Sequence, residues 1–388
     1  SRFGKEDFPG GQTGKLDTNY RSVPAIVTAY SSFARQMRAG GPESGLTPFR
    51  TDADAPPEFR LAADAESQTV AVADCIEELR GQGIAYRDQA VLSTGNEKLA
   101  NLGRDLESLG VPVLFLGSLF ERPEVKDLLS LASLLVDPRA MGLVRVACMP
   151  GFEMPLEDVA TILRHLRAQK LEPLAFLTAQ IADLSPQGRA AIQQLALLFA
   201  GFTPTDTAWD VMAAMVLDRS RIAADIAAAQ TIRDRARGIA IWQFLNFVRV
   251  QPAAAGLPVF RLLERVRRLL RLGDDRDLRQ LPAAAQGIDA VRLMTIHGAK
   301  GLEFRAVHVP GLNQDTLPGN KQRAPACPPP DKMVEGASGT YEEFREISRL
   351  EEKECLFYVA LSRAKDRLVL YAASANKGGR SRKESEYL

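Results

Sequence analysis

Val291 to Val309, V-R-L-M-T-I-H-G-A-K-G-L-E-F-R-A-V-H-V, is the stretch that decides the fold. Two runs rich in β-branched residues, Val291 to Thr295 and Ala306 to Val309, flank a tight polar segment with two glycines, a lysine, a histidine and a glutamate. The pattern predicts strand, functional turn, strand. Gly298 and Gly301 allow a sharp turn or the close approach of a ligand. Lys300 offers a cation to a phosphate, and Glu303 an acceptor to a sugar hydroxyl. Taken alone, the same residues also suit an ordinary solvent-facing turn.

Outward from this stretch, the chain alternates helix and strand. Towards the N-terminus, Val70, Ala73, Ile76 and Leu79 recur at helical spacing within Glu66 to Arg80. Ala90 to Leu92 follows as a strand, Glu97 to Leu109 as a helix stopped by Gly110, and Val111 to Leu116 as a strand. A helix from Glu121 through Val136 closes this half. Towards the C-terminus, Tyr341 to Lys365 is expected to be one helix burying Ile347, Leu350, Phe357 and Leu361, leading into a strand from Arg367 to Tyr371. Such alternation predicts an α/β fold, a parallel sheet with helices on both faces.

Between these halves the texture changes. From Met141 to about Leu281 the patterns are helical: Leu156 to Ala168, Leu174 to Leu184, Arg189 to Phe199, Trp209 to Leu217, Arg221 to Phe247 broken once, and Phe260 to Leu272. The expected organisation is an α/β domain in two parts, 1–138 and 288–373, interrupted by an all-helical insertion, 139–287, and followed by a polar, disordered tail, 374–388. Arg261, Arg265, Arg267, Arg268 and Arg271 make a basic face on the last inserted helix. It is expected to be solvated, with ion pairs to Glu264 and Asp274; contact with nucleic-acid phosphates is the alternative. The long segment from Gly311 to Gly339, with Pro328, Pro329 and Pro330 in a row, is expected to be a loop.

Composition narrows the class. The 388 residues, 46% hydrophobic and 25% charged, fit a soluble globular protein of about two domains. A net charge of +1 confines any nucleic-acid surface to a local patch. Cys75, Cys148, Cys327 and Cys355 form no C-x-x-C pair, and with three histidines they argue against a zinc site or a disulfide framework; cytoplasmic, reduced thiols are expected. No apolar run approaches the roughly 20 residues that span a bilayer. The opening at Ser1, in a polar glycine-rich segment, suggests part of a longer polypeptide. Within it, G-G-Q-T-G-K-L departs from a phosphate-binding loop, with Pro9 where a glycine is needed and Leu16 where a serine or threonine is needed, so a linker is expected.

Near the start, Leu16-Asp17-Thr18-Asn19-Tyr20-Arg21-Ser22-Val23-Pro24 precedes a helix with Ile26, Val27, Tyr30 and Phe33 on its apolar face. Ser22 is the expected cap and Pro24 the first helical residue. Tyr20 and Arg21, just ahead of the helix, suit stacking on a base and pairing with a phosphate, or else packing at a domain edge and solvation.

Three segments together are more specific than any one. L-D-T-N-Y-R-S from Leu16, M-T-I-H-G-A-K-G-L-E-F from Met294 and E-E-K-E-C-L-F-Y-V-A-L-S-R-A-K-D-R-L from Glu351 resemble, in order, motifs IV, V and VI of UvrD/Rep-like superfamily 1 DNA helicases. V-P-V-L-F-L-G-S-L-F-E-R-P-E-V-K-D from Val111 is similar to motif IVa. The resemblance implies a RecA-like domain 2A interrupted by a helical domain 2B, the C-terminal half of an ATP-dependent 3′-to-5′ DNA translocase and helicase of repair or recombination.

It also implies roles. Tyr20 stacks on adenine, Arg21 and Arg363 reach the γ-phosphate as catalytic arginine fingers, Glu303 accepts the ribose hydroxyl beside Gly301, and Thr295, His297 and Lys300 couple the nucleotide cleft to DNA. The chain has neither G-x-x-x-x-G-K-[ST] nor an acidic Walker B strand. The implied Mg²⁺ ligands and phosphate loop therefore belong to a missing N-terminal RecA-like domain, and this chain alone is expected not to hydrolyse ATP. The implied partners are that domain, single-stranded DNA and its junction with duplex, and a nuclease domain or subunit; no membrane is implied. Around Met149 to Pro155 the sequence C-M-P-G-F-E-M-P replaces the G-I-G-type turn of the UvrD branch, which leans toward the RecB and AddA branch. A non-catalytic DNA- or protein-binding module derived from a helicase half is the competing class; retention of Arg21, Glu303 and Arg363 argues against it.

Overall fold

The computed structural model describes residues 16–41, 45–51, 55–115, 117–169, 172–252, 256–272, 287–320, 325, 327–331, 333, 339–376 and 378–388. The glycine-rich segment before Leu16, Asp274 and several positions of the 311–339 stretch lie outside them. The chain divides into two compact units, 1–113 with 289–388, and 114–288.

In the first unit the chain runs β1 (Thr18–Asn19), α1 (Pro24–Gln36), β2 (Thr47–Pro48), β3 (Glu58–Ala62), α2 (Ala65–Gly81), β4 (Gln89–Ser93), α3 (Asn96–Ser108) and β5 (Val113–Leu114). After the second unit, which holds α4 (Pro123–Leu134) through α11 (Pro258–Leu272), it returns through β6 (Val291–Thr295), β7 (Phe304–Val309), α12 (Tyr341–Leu361) and β8 (Ala364–Ala373). The main sheet has the order β3-β8-β7-β4-β6-β5. The pairs β3–β8, β8–β7, β7–β4 and β4–β6 are parallel, with Glu58 opposite Val369, Val307 opposite Leu368, and Ala90 opposite both Val307 and Arg292.

Both faces are covered, which explains the near-continuous apolar runs. All five β4 residues are buried. Successive side chains point to opposite faces. Ala90 and Leu92 join Val307, Val309 and Leu368 under Ile26 and Val27 of α1 and Phe357 and Leu361 of α12. On the other face, Gln89 Nε2 donates to the Ile76 and Ile84 carbonyls, 3.1 Å each. Gly103 of α3 lies so close to Leu293 that an added Cβ would stand 3.0 Å from its Cδ2.

Between these side chains runs a buried polar chain. His308 Nε2 is 3.1 Å from Gln89 Oε1 and His308 Nδ1 is 2.8 Å from the Tyr371 hydroxyl. Because Gln89 spends its amide hydrogens on carbonyls, its oxygen accepts from His308 Nε2–H; burial keeps the imidazole neutral, so Tyr371 donates to Nδ1.

Several expectations change here. β3 was not foreseen: its Phe59 and Leu61 face outward on an edge strand, so no buried run marks it. Ile347, expected in the core, is 48% exposed. The tail from Ser374 is not loose, because it carries its own anchors. Ser385 Oγ donates to the Leu317 carbonyl at 2.6 Å, Arg382 Nε reaches Asp315 Oδ2 at 3.0 Å, and the Tyr387 ring stands 5.4 Å from Phe33 and 5.6 Å from Phe357.

The second unit is helical: α4 (Pro123–Leu134), α5 (Leu143–Val146), α6 (Leu156–Gln169), α7 (Pro186–Phe199), α8 (Ala208–Ala213), α9 (Ile222–Ala227), α10 (Ile232–Arg249) and α11 (Pro258–Leu272). It begins at 114 rather than 139 because Val125, Leu128 and Leu131 of α4, with Leu135 just after it, are buried in one cluster with Leu143, Phe244, Phe247 and Leu262. The expected helix from Leu174 to Leu184 reduces to a single 3-10 turn, Ala175–Leu177. The five arginines of α11 are exposed opposite Val259, Leu262, Leu263 and Val266, and Arg267 Nη1 pairs with Glu264 at 2.7 Å.

Candidate nucleotide site

The site is built at the seam between the chain's first segment and its last strand. Asn19 Oδ1 accepts from the amides of Arg21 and Ser22 at 3.0 and 2.9 Å, which bends the chain after β1. Val23 N donates to the Lys365 carbonyl at 2.9 Å and Ser22 Oγ to the Ala364 carbonyl at 2.6 Å. Ser22 is therefore not the cap of α1. Val23 takes that position, with Pro24 first in the helix, while the Ser22 hydroxyl ties the turn to β8. Arg50 closes the other side, its Nη1 donating 2.9 Å bonds to the Arg21 carbonyl and to Asp366 Oδ1.

The result is an open depression of about 590 Å³ lined by Thr18, Asn19, Tyr20, Arg21, Arg50, Glu303 and Lys365. Within it, Arg21 Nε donates to Glu303 Oε2 at 2.7 Å and Arg21 Nη1 to the Ser362 carbonyl at 3.0 Å. Lys365 Nζ pairs with the other carboxylate oxygen of Glu303. The hydrogen bond from Lys365, then that from Arg21, holds the Glu303 carboxyl below its ordinary value, so it is an anion with two cations beside it. Tyr20 presents an open ring, 67% exposed.

Arg363 adjoins the depression without lining it. Its Nε donates to the Val359 carbonyl at 3.1 Å, Nη1 to the Leu302 carbonyl at 3.2 Å and Nη2 to Ser362 Oγ at 2.9 Å. Burial first, and the Arg21 charge second, push its guanidinium below the ordinary arginine value. Two neighbouring like charges, one of them half-buried, leave a local positive potential suited to an anion such as a phosphate.

The turn from Ile296 to Gly301 connects this region to the sheet. Gly298 N donates to Thr295 Oγ1 at 3.1 Å, and Ile296 N to the Ser93 carbonyl at 3.0 Å. Gly301, at φ +88°, takes a backbone conformation that a side chain would strain. His297 and Lys300 are exposed. Of the residues expected at a site, Tyr20, Arg21 and Glu303 meet in the depression; Thr295, His297 and Lys300 do not line it.

Four lining residues were not foreseen: Thr18 and Asn19 of β1, Arg50 and Lys365. Lys365 stood unassigned inside S-R-A-K-D-R-L, two positions past Arg363. Arg50 carries no local signal, because its role arises from the pairing of β1 with β2, where Thr18 stands opposite Thr47 and Asn19 opposite Pro48.

With this geometry in hand, similarity to known proteins is informative. Residues 15–182 and 261–375 match the family described as UvrD-like helicase C-terminal domain. DNA helicase II of Escherichia coli K12 is 24% identical over 96% of this chain and 49% of its own length. The ATP-dependent DNA helicase Rep of the same organism is 25% identical over 81% and 47%, and the ATP-dependent DNA helicase PcrA of Bacillus subtilis 168 is 23% identical over 94% and 47%. The chain thus spans about half the length of the curated relatives it matches.

Proposed function

From the premise that the chain belongs to the UvrD-like helicase C-terminal domain family, we propose that it is the nucleotide-completing half of an ATP-dependent 3′-to-5′ DNA helicase of repair or recombination in the cytoplasm. The observation that carries this reading is the convergence of Tyr20, Arg21 and Glu303 in one depression, with Arg363 adjoining. Such a set has groups for a base, a ribose and a γ-phosphate. A second RecA-like domain preceding this one would supply the phosphate loop and the Mg²⁺ ligands.

In this reading adenine stacks on the open face of Tyr20 and the ribose hydroxyl donates to Glu303, while the Arg21 guanidinium turns to the γ-phosphate and Arg363, held on its protein acceptors, meets it in place. Phosphoryl transfer is accelerated chiefly by positioning and charge stabilisation, and arginine is suited to it because its planar fork pairs with two phosphate oxygens at once. Arg21 starts on Glu303. A γ-phosphate carries more charge than a carboxylate, so its arrival offers Arg21 a stronger partner, leaving Lys365 to hold the carboxylate for the sugar. The strand and turn from Thr295 through His297 to Lys300 would carry that change to single-stranded DNA near its junction with duplex.

DNA-stimulated ATPase tests this directly, measured on the chain alone and after mixing with the separately prepared remainder of its gene product. Silence alone and turnover on mixing is the expected result. Turnover by the chain alone would mean a complete nucleotide site in this half, and no turnover on mixing would leave a DNA- or protein-binding module.

A further inference from the structure

We infer that Phe49 is a positioning residue for the nucleotide base, a second ring that braces Tyr20 so that one face of Tyr20 is held open for stacking; the inference rests on the base assignment made for Tyr20 above. The two rings meet outside the hydrophobic core, with centroids 4.7 Å apart and planes tilted by 43°. Neither is buried by the contact: Tyr20 remains 67% and Phe49 63% exposed. Two large exposed aromatics in contact at the lip of a cavity form a surface suited to a planar ligand.

The backbone holds this pair in place from both sides. Thr47 N donates to the Asp17 carbonyl at 2.7 Å and Phe49 N to the Asn19 carbonyl at 2.8 Å, so β1 and β2 deliver Tyr20 and Phe49 side by side. The next residue, Arg50, fastens the same strand end to the Arg21 carbonyl and Asp366. Tyr20, Phe49 and Arg21 are therefore set by one small hydrogen-bonded frame. A ring that is already immobilised loses less freedom when a base stacks on it, which is how a residue that does not touch the phosphates strengthens binding.

The test is steady-state ATPase of the full-length protein on saturating single-stranded DNA, with ATP and with CTP, for Phe49→Ala, Phe49→Leu, Phe49→Trp, Tyr20→Ala and the double variant Tyr20→Ala/Phe49→Ala. Phe49→Ala and Phe49→Leu are expected to raise KM for ATP about three- to tenfold with a smaller change in kcat, and Phe49→Trp to restore it. The effect should be weaker with CTP, whose smaller base stacks less. Because Phe49 acts through Tyr20, the double variant should be no worse than Tyr20→Ala alone. Normal KM in Phe49→Leu, or additive losses in the double variant, would overturn the brace while leaving the Tyr20 assignment intact. If Tyr20→Ala itself leaves KM unchanged, the base assignment falls. Loss of DNA affinity with KM for ATP preserved would overturn both in favour of a stacking site for a DNA base.

Discussion

At the scale of single residues, the site divides side chains that carry charge from side chains that offer surface. Arg363 uses Nε, Nη1 and Nη2 on protein acceptors, so its position is fixed before any phosphate arrives. Arg363→Ala in the full-length protein is expected to lower kcat for ATP hydrolysis about 10³-fold or more, in the range of an arginine finger, with DNA affinity little changed. Arg363→Lys keeps a charge but not the fork and should remain slow. Fluorescence anisotropy on labelled single-stranded DNA beside the ATPase assay checks both; equal loss of binding and turnover would make Arg363 a folding residue. Tyr20→Ala, by contrast, removes stacking rather than charge and should act mainly on KM for ATP, by about tenfold. An unchanged KM would contradict it.

At the scale of elements, α12 and the turn after β6 deliver the site. Apolar residues of α12 at helical spacing marked a buried face, yet only its C-terminal half keeps to it. Phe357 lies 1% exposed with the Phe33 ring 5.0 Å away and Tyr387 beside it, whereas Ile347 is 48% exposed. Phe357→Ala is therefore expected to destabilise this unit by about 3–5 kcal/mol, through lost transfer energy and a cavity. Ile347→Ala should stay within about 0.5 kcal/mol. Urea unfolding followed by circular dichroism separates them, and similar midpoints for the two variants would mean that the packing of α12 is misassigned. The glycine turn was legible because Gly301 needs its positive φ whatever surrounds it. Ser22 was misread because a cap is a local option, and a hydrogen bond to Ala364, 342 positions away, took its hydroxyl instead.

For the molecule as a whole, the buried chain from Gln89 through His308 to Tyr371 ties stability to pH. Burial, with a smaller contribution from Arg60, pushes the His308 imidazole pKa from 6.5 down to about 3. Below pH 6.5 the unfolded chain takes up a proton that the folded chain refuses, so this group's contribution is complete above that pH and is lost as pH falls toward 3. The loss approaches about 1.4 kcal/mol per pH unit. Between pH 6.5 and 4.5, before most carboxylates titrate, His308→Asn should flatten the fall in unfolding free energy by nearly one proton. Parallel pH profiles for the parent and the variant would show that the imidazole titrates equally in both states.

The sequence by itself determined the parallel α/β class, marked the run of helices between its two parts, and singled out Tyr20, Arg21, Glu303 and Arg363 as residues to look for. Each of these rests on periodicity, glycine geometry or a contiguous motif, all of which are local. Tertiary structure alone decided that α4 belongs to the helical unit, that the final residues pack, that Arg50 and Lys365 line the depression, and that Phe49 stands against Tyr20. Those outcomes depend on which distant segment arrives to bury a face or accept a hydrogen bond. A leucine stripe, a tyrosine near the C-terminus or a phenylalanine after a proline is compatible with many partners until the chain has closed.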